Sequence, residues 1–507
     1  MSNLSVLIAG RQYEISADPV QTIIQNLYLS GMLQGISLCA GVGMCGQCTV
    51  RYVNTPPVPA NKDLNYFTTT KLRQGYRLGC VHFPASGDEI EFFGKPKLCQ
   101  VILSSKARVG ALGIDIGTTA LKWAALHDDG VQSIGQCVNP QMGSGSDIMS
   151  RLSFAGSSAS NADYLSKVLR NEVMKIITES DPARDRICLT GNPAMIYTLM
   201  SFNISGLSVS PYTLDYSGSC TEQLENNGAK VYIPSIFSPF VGADISAGLT
   251  YILEKKNPVY PFVLADFGTN GELVLALSQR EFFSTSVALG PALEGVGLRF
   301  GSPYSPGVCP GFVLTGKGLE PETHWDGSRL SGSGYISLLS HLIRLVLLNE
   351  SGHFASDLSP LCKKLGISIK DGRLRLGAEF FLDGHAVEEI LKVKAAFTAG
   401  LAFLCASAGL LPENLKVIYI AGALGTHTKA ADLETLGFFP KGAAHKIKGL
   451  GNTSLQGALL MASRDDLRTA NQKLQGMVRN LSMADKPGYL EKEFIRHMMF
   501  AYPKEVH

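Results

Sequence analysis

Short alternations of apolar and polar residues open the chain. Leu4 to Ile8 and Tyr13 to Ile15 read as two paired strands around a turn at Gly10-Arg11. Asp18 is placed to cap a helix with Pro19 in its first turn, and Val20, Ile23, Ile24 and Leu27 form one apolar stripe ending at Gly31. A strand from Thr49 to Val53, a Pro-rich excursion (TPPVPANKD) and a closing alternation (EIEFF) follow. Residues 94–109 make a short connection, much shorter than a domain. Beyond it, ALGIDIGTTALKWAAL (111–126) predicts two strands joined by a turn that carries Asp115, Gly117, Thr118 and Thr119. FVLADFGTNGELVL repeats the design with Asp266, Gly268, Thr269, Asn270 and Gly271, and Asp266 follows Asp115 by 151 residues. A repeat of that size predicts two lobes of similar build. KVIYIAGALG then reads as a buried strand running into the small-residue loop Gly422, Ala423, Leu424, Gly425. In the helix before it, Ile390, Val393, Phe397 and Leu401 face the core, which leaves the Lys394 charge toward water.

Composition narrows the class. The 507 residues, 45% hydrophobic and 17% charged, describe a globular protein of two to four domains. Lys+Arg number 45 and Asp+Glu 43, so the net charge of +2 offers no general attraction to nucleic acid. No apolar run approaches the ~18 residues that span a bilayer, and the N-terminus lacks the basic and small-residue marks of a signal peptide. Eleven cysteines, an odd number without an export signal, argue against a disulfide framework. A cytoplasmic protein, bound to neither membrane nor nucleic acid, is expected.

Four cysteines gather in the first stretch. Cys39, Cys45 and Cys48 have the spacing C-x5-C-x2-C, and Cys80 follows Cys48 after 31 intervening residues. Four thiolates, three on one tight loop and one distant, hold a [2Fe–2S] cluster in ferredoxins. Gly41, Gly43 and Gly46 let the backbone wrap closely. Zinc is the rival for four thiolates, although structural zinc favours two C-x2-C knuckles and Cys80 has no such neighbour. His82 reads as a surface histidine, and the seven scattered cysteines as buried small hydrophobes. The outline and Arg77-Leu78-Gly79-Cys80 resemble the β-grasp ferredoxins, with the x5 spacing on the adrenodoxin side.

The two hairpin turns suit phosphate. Glycine lets the backbone approach an anion, and Thr and Asn side chains add donors. Asp115 and Asp266 at the strand ends are candidates to organise Mg²⁺ and phosphate. Glu272 is either the residue that positions attacking water or a surface hairpin glutamate. Asp244 either supports the site or caps a helix starting at Ile245. Lys122 either touches phosphate or is solvated. Ser286, before the ALGPALEG loop, either presents its hydroxyl to a bound group or hydrogen-bonds at a strand end. Gly422, Ala423 and Gly425 would let a purine or ribose lie on the backbone.

Together the three pieces resemble the phosphate-1, phosphate-2 and adenosine motifs of the acetate and sugar kinase, heat-shock 70 and actin superfamily. The resemblance implies two ribonuclease-H-like lobes with ATP between them. Segments NPQMGSGSDIMSRL (139–152), LTGNPAM (189–195), FVGADISAG (240–248), ALGPALEG (288–295) and GLGNTSLQGA (449–458) resemble the reductive activators of corrinoid proteins over nearly the whole chain. The chain departs from many of them in lacking an extra domain after the ferredoxin part and in having Leu424 where Phe is common. The resemblance implies an α/β multidomain chain: a [2Fe–2S] β-grasp domain (1–97), a linker (98–110) and a bilobal actin-like ATPase domain (111–500, lobes about 111–260 and 261–500). It implies [2Fe–2S], ATP and Mg²⁺ as cofactors, with Co(II) of a corrinoid protein reduced to Co(I), and it makes the Ser286 hydroxyl a candidate contact to the partner's corrin or cobalt. An upstream ferredoxin, flavodoxin or reductase would supply the electron, and homodimerisation is left open. Each 100 mV uphill costs about 2.3 kcal/mol, and a cluster near about −400 mV falls short without coupling to ATP. The alternatives are an activator of the 2-hydroxyacyl-CoA dehydratase type and a small-molecule kinase with a redox-sensing domain. A plain electron carrier with an inactive ATPase fold is a further one.

Overall fold

The computed structural model describes the chain apart from residues 1, 34–42, 44–45, 95–99, 103–104, 146, 225–227, 269, 296, 305–306, 361, 363–367, 371, 377–379, 487 and 504–507. Cys39, Cys45, Gly41 and Thr269 therefore lie outside the described residues, as does the side chain of Ala423.

Strands β1 (Ser2–Ile8) and β2 (Arg11–Ala17) pair antiparallel from Ser2↔Ala17 to Ile8↔Arg11 and turn at Ala9-Gly10, both at positive φ. Then come α1 (Ile23–Leu29), β3 (Thr49–Tyr52), α2 (Asn61–Tyr66), α3 (Thr69–Arg73), β4 (Tyr76–Leu78) and β5 (Asp88–Phe92). The strands form one sheet in the order β2-β1-β5-β3-β4. Leu4, Val6, Val50 and Ile90 bury their side chains with Ile23, Ile24 and Leu27 of α1.

The start of α1 corrects the sequence reading. Thr22, not Asp18, is the cap: its Oγ accepts the Gln25 N–H while the Gln25 side chain accepts the Thr22 N–H. This reciprocal box satisfies two orphan donors at once. Asp18 instead accepts the Val20 N–H in the preceding turn, so Val20 falls outside the apolar stripe and is 81% exposed.

The chain divides into two compact units, the first comprising residues 1–216, 220–233 and 458–464 and the second 217–219, 234–457 and 465–507. In the first unit a second sheet contains β6 (Gln100–Ile102), β7 (Val109–Ile116), β8 (Ala120–His127), β9 (Gln132–Val138), β10 (Ile187–Gly191), β11 (Cys220–Gln223) and β12 (Lys230–Ile233). Its order is β11-β12-β10-β7-β8-β9-β6. The β6 strand falls within the stretch read as a connection. Helices α4 (Ile148–Gly156), α5 (Ala159–Ser180) and α6 (Pro193–Met200) belong to the same unit.

The second unit holds α7 (Ala243–Lys255), β13 (Phe262–Phe267), β14 (Asn270–Ala276), β15 (Phe282–Ala288), α8 (Gly332–Arg344), α9 (Gly384–Ser407), β16 (Val417–Ala421), α10 (Gly422–His427), β17 (Ile447–Gly451) and β18 (Val478–Asn480). Its sheet order is β17-β16-β13-β14-β15-β18. The two large sheets share a design: an antiparallel meander (β7-β8-β9 or β13-β14-β15) extended by strands parallel to its first member (β10, β12 or β16, β17). Alternation along β13 divides the core. Phe262 and Leu264 pack with Ile245, Leu249 and Ile252 of α7. Val263 and Ala265 belong to the core that α8 and α9 complete.

By length and composition α9 could cross a membrane, yet 78% of its most apolar window is buried inside the fold. Lys394 shares that burial. It is fully buried, against the expectation of a solvated charge, because the middle of α9, residues 393–401, is buried on every face. Its Nζ donates to the carbonyls of His497, Met499 and Ala501.

Candidate functional site

Of the four candidate cluster ligands, Cys48 and Cys80 are described, and both are buried. Their sulfurs lie 3.3 Å apart. That is too far for a disulfide at ~2.05 Å and close enough for two thiolates to converge on one metal. The surrounding backbone is drawn in tightly. Gly79 N–H donates to the Cys48 carbonyl at 2.8 Å. Gly43 and Gly46 have φ of +83° and +65°, and a Cβ on either would run into Lys62 or Tyr66. Among the described residues no three metal-ligating side chains meet, two of the four cysteines being outside that set.

His82 is not on the surface. It is 7% exposed, and its Nε2 lies 2.6 Å from Asp63 Oδ2. Asp63 also accepts the Leu78 and Ala60 N–H groups at 2.7 and 2.8 Å. Burial pushes the Asp63 carboxyl up, but the hydrogen bonds from His82, Leu78 and Ala60 outweigh it and hold the pKa below its usual value. Arg77, also buried, donates to the Pro57 carbonyl, which ties the Pro-rich excursion to the Cys80 segment.

The first hairpin turn is held from behind. Gly117 N–H donates to Ala120 O at 3.1 Å. Asn139 donates through Nδ2 to Gly117 O at 2.8 Å and through its backbone N–H to Thr119 O at 3.0 Å. Buried Arg151 donates to Thr118 O at 2.5 Å, and Asn192 Nδ2 reaches the Thr118 hydroxyl at 3.2 Å. The carbonyls of residues 117, 118 and 119 are thus all engaged within the unit, so their negative ends do not oppose an incoming anion. Asn139 and Arg151 were not singled out individually from sequence, although both lie in the 139–152 segment that carried the family resemblance. Lys122, half-buried, stands directly across from Asp115, which also pairs with Thr190 on the other side.

The second hairpin puts Ala421, Asp266, Glu272 and Ser286 in one cross-strand row over β16, β13, β14 and β15. Glu272 is buried, which removes the surface-glutamate reading. Burial first, then the charges of Asp244, Asp266 and Glu294, raise its pKa well above the normal carboxyl range. Asp244 does not cap its helix. Gly242 is the cap and α7 begins at Ala243, leaving Asp244 in the first turn with Oδ1 accepting the Ile245 N–H at 2.9 Å. Glu294, in the ALGPALEG loop, joins this group without having been picked out from the sequence.

Glycines at the end of β16 close the arrangement. Gly422 has φ +78°, and a Cβ there would sit 2.8 Å from Asp266 Oδ1. Cβ atoms on Gly425 and Gly449 would collide with the Ile420 and Gly425 carbonyls. Backbone therefore lies directly against the Asp266 carboxylate, with no side chain filling the space. The positions equivalent by strand pairing carry opposite charge in the two hairpins: Lys122 faces Asp115, and Glu272 faces Asp266.

Two family models cover most of the chain, the RACo middle region over residues 110–255 and the C-terminal domain of RACo, the ASKHA domain, over residues 261–505. The chain belongs to the RACo family. Its C-terminal part is an actin-like ASKHA domain in an α/β multidomain protein. A corrinoid activation enzyme, RamQ, of Eubacterium limosum is 24% identical over 484 residues, covering 88% of this chain and 78% of the relative. A [Co(II) methylated amine-specific corrinoid protein] reductase of Methanosarcina barkeri is 28% identical over 240 residues, 45% of this chain and 44% of that one. Among solved structures, a reductive activator for a corrinoid, iron-sulfur protein superposes with a TM-score of 0.66 at 19% identity, over 98% of each chain. That likeness is one of fold.

Proposed function

We propose that this RACo-family chain is an ATP-dependent reductive activator, an enzyme whose substrate is the Co(II) of a corrinoid protein. Cobalt takes one electron and becomes Co(I), the state able to accept a methyl group. The observation that carries this reading is the pairing, in one chain, of converging buried thiols with a duplicated Asp-Gly-Thr hairpin inside a RACo/ASKHA framework. The two corrinoid-activating relatives support the choice of substrate.

The domain division proposed is 1–97 for the ferredoxin-like part, 98–110 for the linker, which lends β6 to the seven-stranded sheet, and 111–500 for the ATPase. Cys39, Cys45, Cys48 and Cys80 would hold a [2Fe–2S] cluster, which supplies one-electron chemistry when bound. The residues present fit such a group, since glycine alone is tolerated at Gly43 and Gly46 and the Cys48 and Cys80 sulfurs already converge. Asp63 and His82 hold the Cys80 segment in place from behind.

For MgATP, Thr118 and Thr119 offer donors, Gly117 leaves room for a close approach, the carbonyls of all three are engaged within the unit, and Lys122 adds positive charge for phosphate oxygens. Gly268, Thr269, Asn270 and Gly271 serve the same purpose in the second hairpin, and Gly422, Ala423 and Gly425 provide the surface for adenosine. Asp115 and Asp266 are oxygen ligands of the kind a hard cation takes, directly or through water. Glu272 is poised to hold or accept a proton beside Asp266, with Asp244 supporting it. Ser286 shares the Glu272 row and so serves the nucleotide end of the sheet rather than cobalt. The partners proposed are a corrinoid protein and a low-potential electron donor such as a ferredoxin, flavodoxin or reductase, in the cytoplasm.

The deciding experiment mixes the protein anaerobically with a Co(II) corrinoid protein and reductant, and follows Co(I) absorbance with and without ATP. Co(I) that accumulates only with ATP is expected. Equal accumulation without ATP, or none with it, would overturn the reading.

A further inference from the structure

Helix α1 touches the cysteine segment at one end and the support of the first phosphate turn at the other. At its N-terminus, Ile23 N–H donates to His82 O at 2.8 Å and Ile24 N–H to Gly79 O at 3.0 Å. These two carbonyls flank Cys80, and they satisfy helix donors that would otherwise lack partners. At the other end, Tyr28 Oη donates to the Pro140 carbonyl at 2.9 Å. Its ring fills the space above Gly143, where any Cβ would overlap it. Tyr164 of α5 locks the contact, donating to the Tyr28 carbonyl at 2.7 Å with the rings edge-on at 5.3 Å.

Pro140 follows Asn139, the residue that holds the Gly117 and Thr119 carbonyls. The route from the Cys80 segment to the 117–119 turn therefore runs through the two turns of α1, the Tyr28–Pro140 hydrogen bond, the Pro140–Asn139 peptide bond and the bonds from Asn139 to the turn. All of it lies within the first compact unit. Asn139 is fully buried, and Tyr28 is 5% exposed. A small shift of the turn cannot be absorbed by a loose loop or by water, and interiors packed at crystal density transmit such shifts.

We propose that Tyr28 is a positioning residue that couples the two sites. Phosphate bound at the 117–119 turn and the redox state of the cysteine loop change each other's stability through α1. This rests on the function proposed above and adds the physical connection between its two halves. Linkage makes the coupling reciprocal: if reduction changes the affinity for ATP by some factor, ATP changes the affinity for the electron by the same factor. A fivefold change, at the low end of the usual range, converts to about 41 mV at about 59 mV per tenfold for one electron.

The test measures the Kd of ATP for the full-length, cluster-loaded protein in its oxidised and dithionite-reduced forms, together with the midpoint potential with and without ATP. The wild type is expected to show a ratio of about fivefold or more and the matching shift in potential. Tyr28→Phe keeps the ring over Gly143 but loses the bond to Pro140, and its ratio is expected to fall to one. Visible absorbance confirms that the variant carries its cluster. If Tyr28→Phe does not fold, Tyr164→Phe, which removes the bond to the Tyr28 carbonyl, is expected to lower the ratio instead. A wild-type ratio of one, or an undiminished ratio in the folded variant, overturns the coupling. A protein that shows no cluster absorbance, or does not bind ATP, overturns the function it rests on as well, and is told apart by that.

Discussion

A side chain buried without water must find its partners in the protein, and Lys394 finds three carbonyl oxygens, those of His497, Met499 and Ala501, at 3.2, 2.8 and 2.8 Å. Burial still pushes its pKa down to about 7. The unfolded chain, with an ordinary lysine near about 10.4, binds the extra proton between these two values. Stability therefore rises as pH climbs from about 7 toward about 10, by at most about 1.4 kcal/mol per pH unit. Lys394→Met is expected to abolish that slope, as read from urea denaturation at pH 7 and pH 9.5. His497 does not share the window. Burial and the charges of Lys394 and Arg496 push its pKa down to about 3, so its contribution is confined to acid. None of this was legible beforehand. The spacing of Ile390, Val393, Phe397 and Leu401 marks one core face, but it does not reveal that other elements cover the remaining faces. His82 and Glu272 teach the same lesson, since each looks polar and hence external until Asp63 or the Asp266 row is brought beside it.

The strand-turn-strand elements were the most readable part of the chain. Apolar runs ending in Asp-x-Gly-Thr leave little choice but a buried strand and a close turn, and both hairpins formed with Asp115 and Asp266 at the strand ends. Their opposite facing charges, Lys122 and Glu272, were not readable. The turns differ by one residue, and only the register shows which side chain stands across from each aspartate. The helix start at Thr22 was missed because Asp18 and Thr22 are both good caps, and the difference lies in the reciprocal bond from Gln25. The loop after β16 makes a further test of the element. Gly422 is at φ +78° with its missing Cβ space beside the Asp266 carboxylate. Gly422→Ala is expected to weaken ATP binding at least about tenfold, since it combines a disfavoured φ with displacement of Asp266. Titration of the purified variant with a fluorescent ATP analogue measures this.

At the scale of the molecule, the two kinds of chemistry proposed above fall on separate stretches of sequence. Cys48→Ser is accordingly expected to abolish visible absorbance and Co(I) formation while ATP still binds, now with the same Kd whether or not dithionite is present; spectra and ATP titrations on one preparation check both. The duplicated sheet was visible as a repeat of spacing, because two copies of one strand-turn-strand design must be spelled alike to bury alike. Local chemistry is written locally: cysteine spacing, glycine turns and apolar runs follow from constraints among neighbours in the chain, and they were enough to indicate thiol and phosphate sites. Which carbonyls hold Lys394, which carboxylate stands across from Glu272 and which helix connects Cys80 to Asn139 depend on register and on contacts that reach from six positions apart (Asp266 and Glu272) to more than a hundred (Lys394 and Ala501). Those contacts are set by packing, and the folded chain alone decides them.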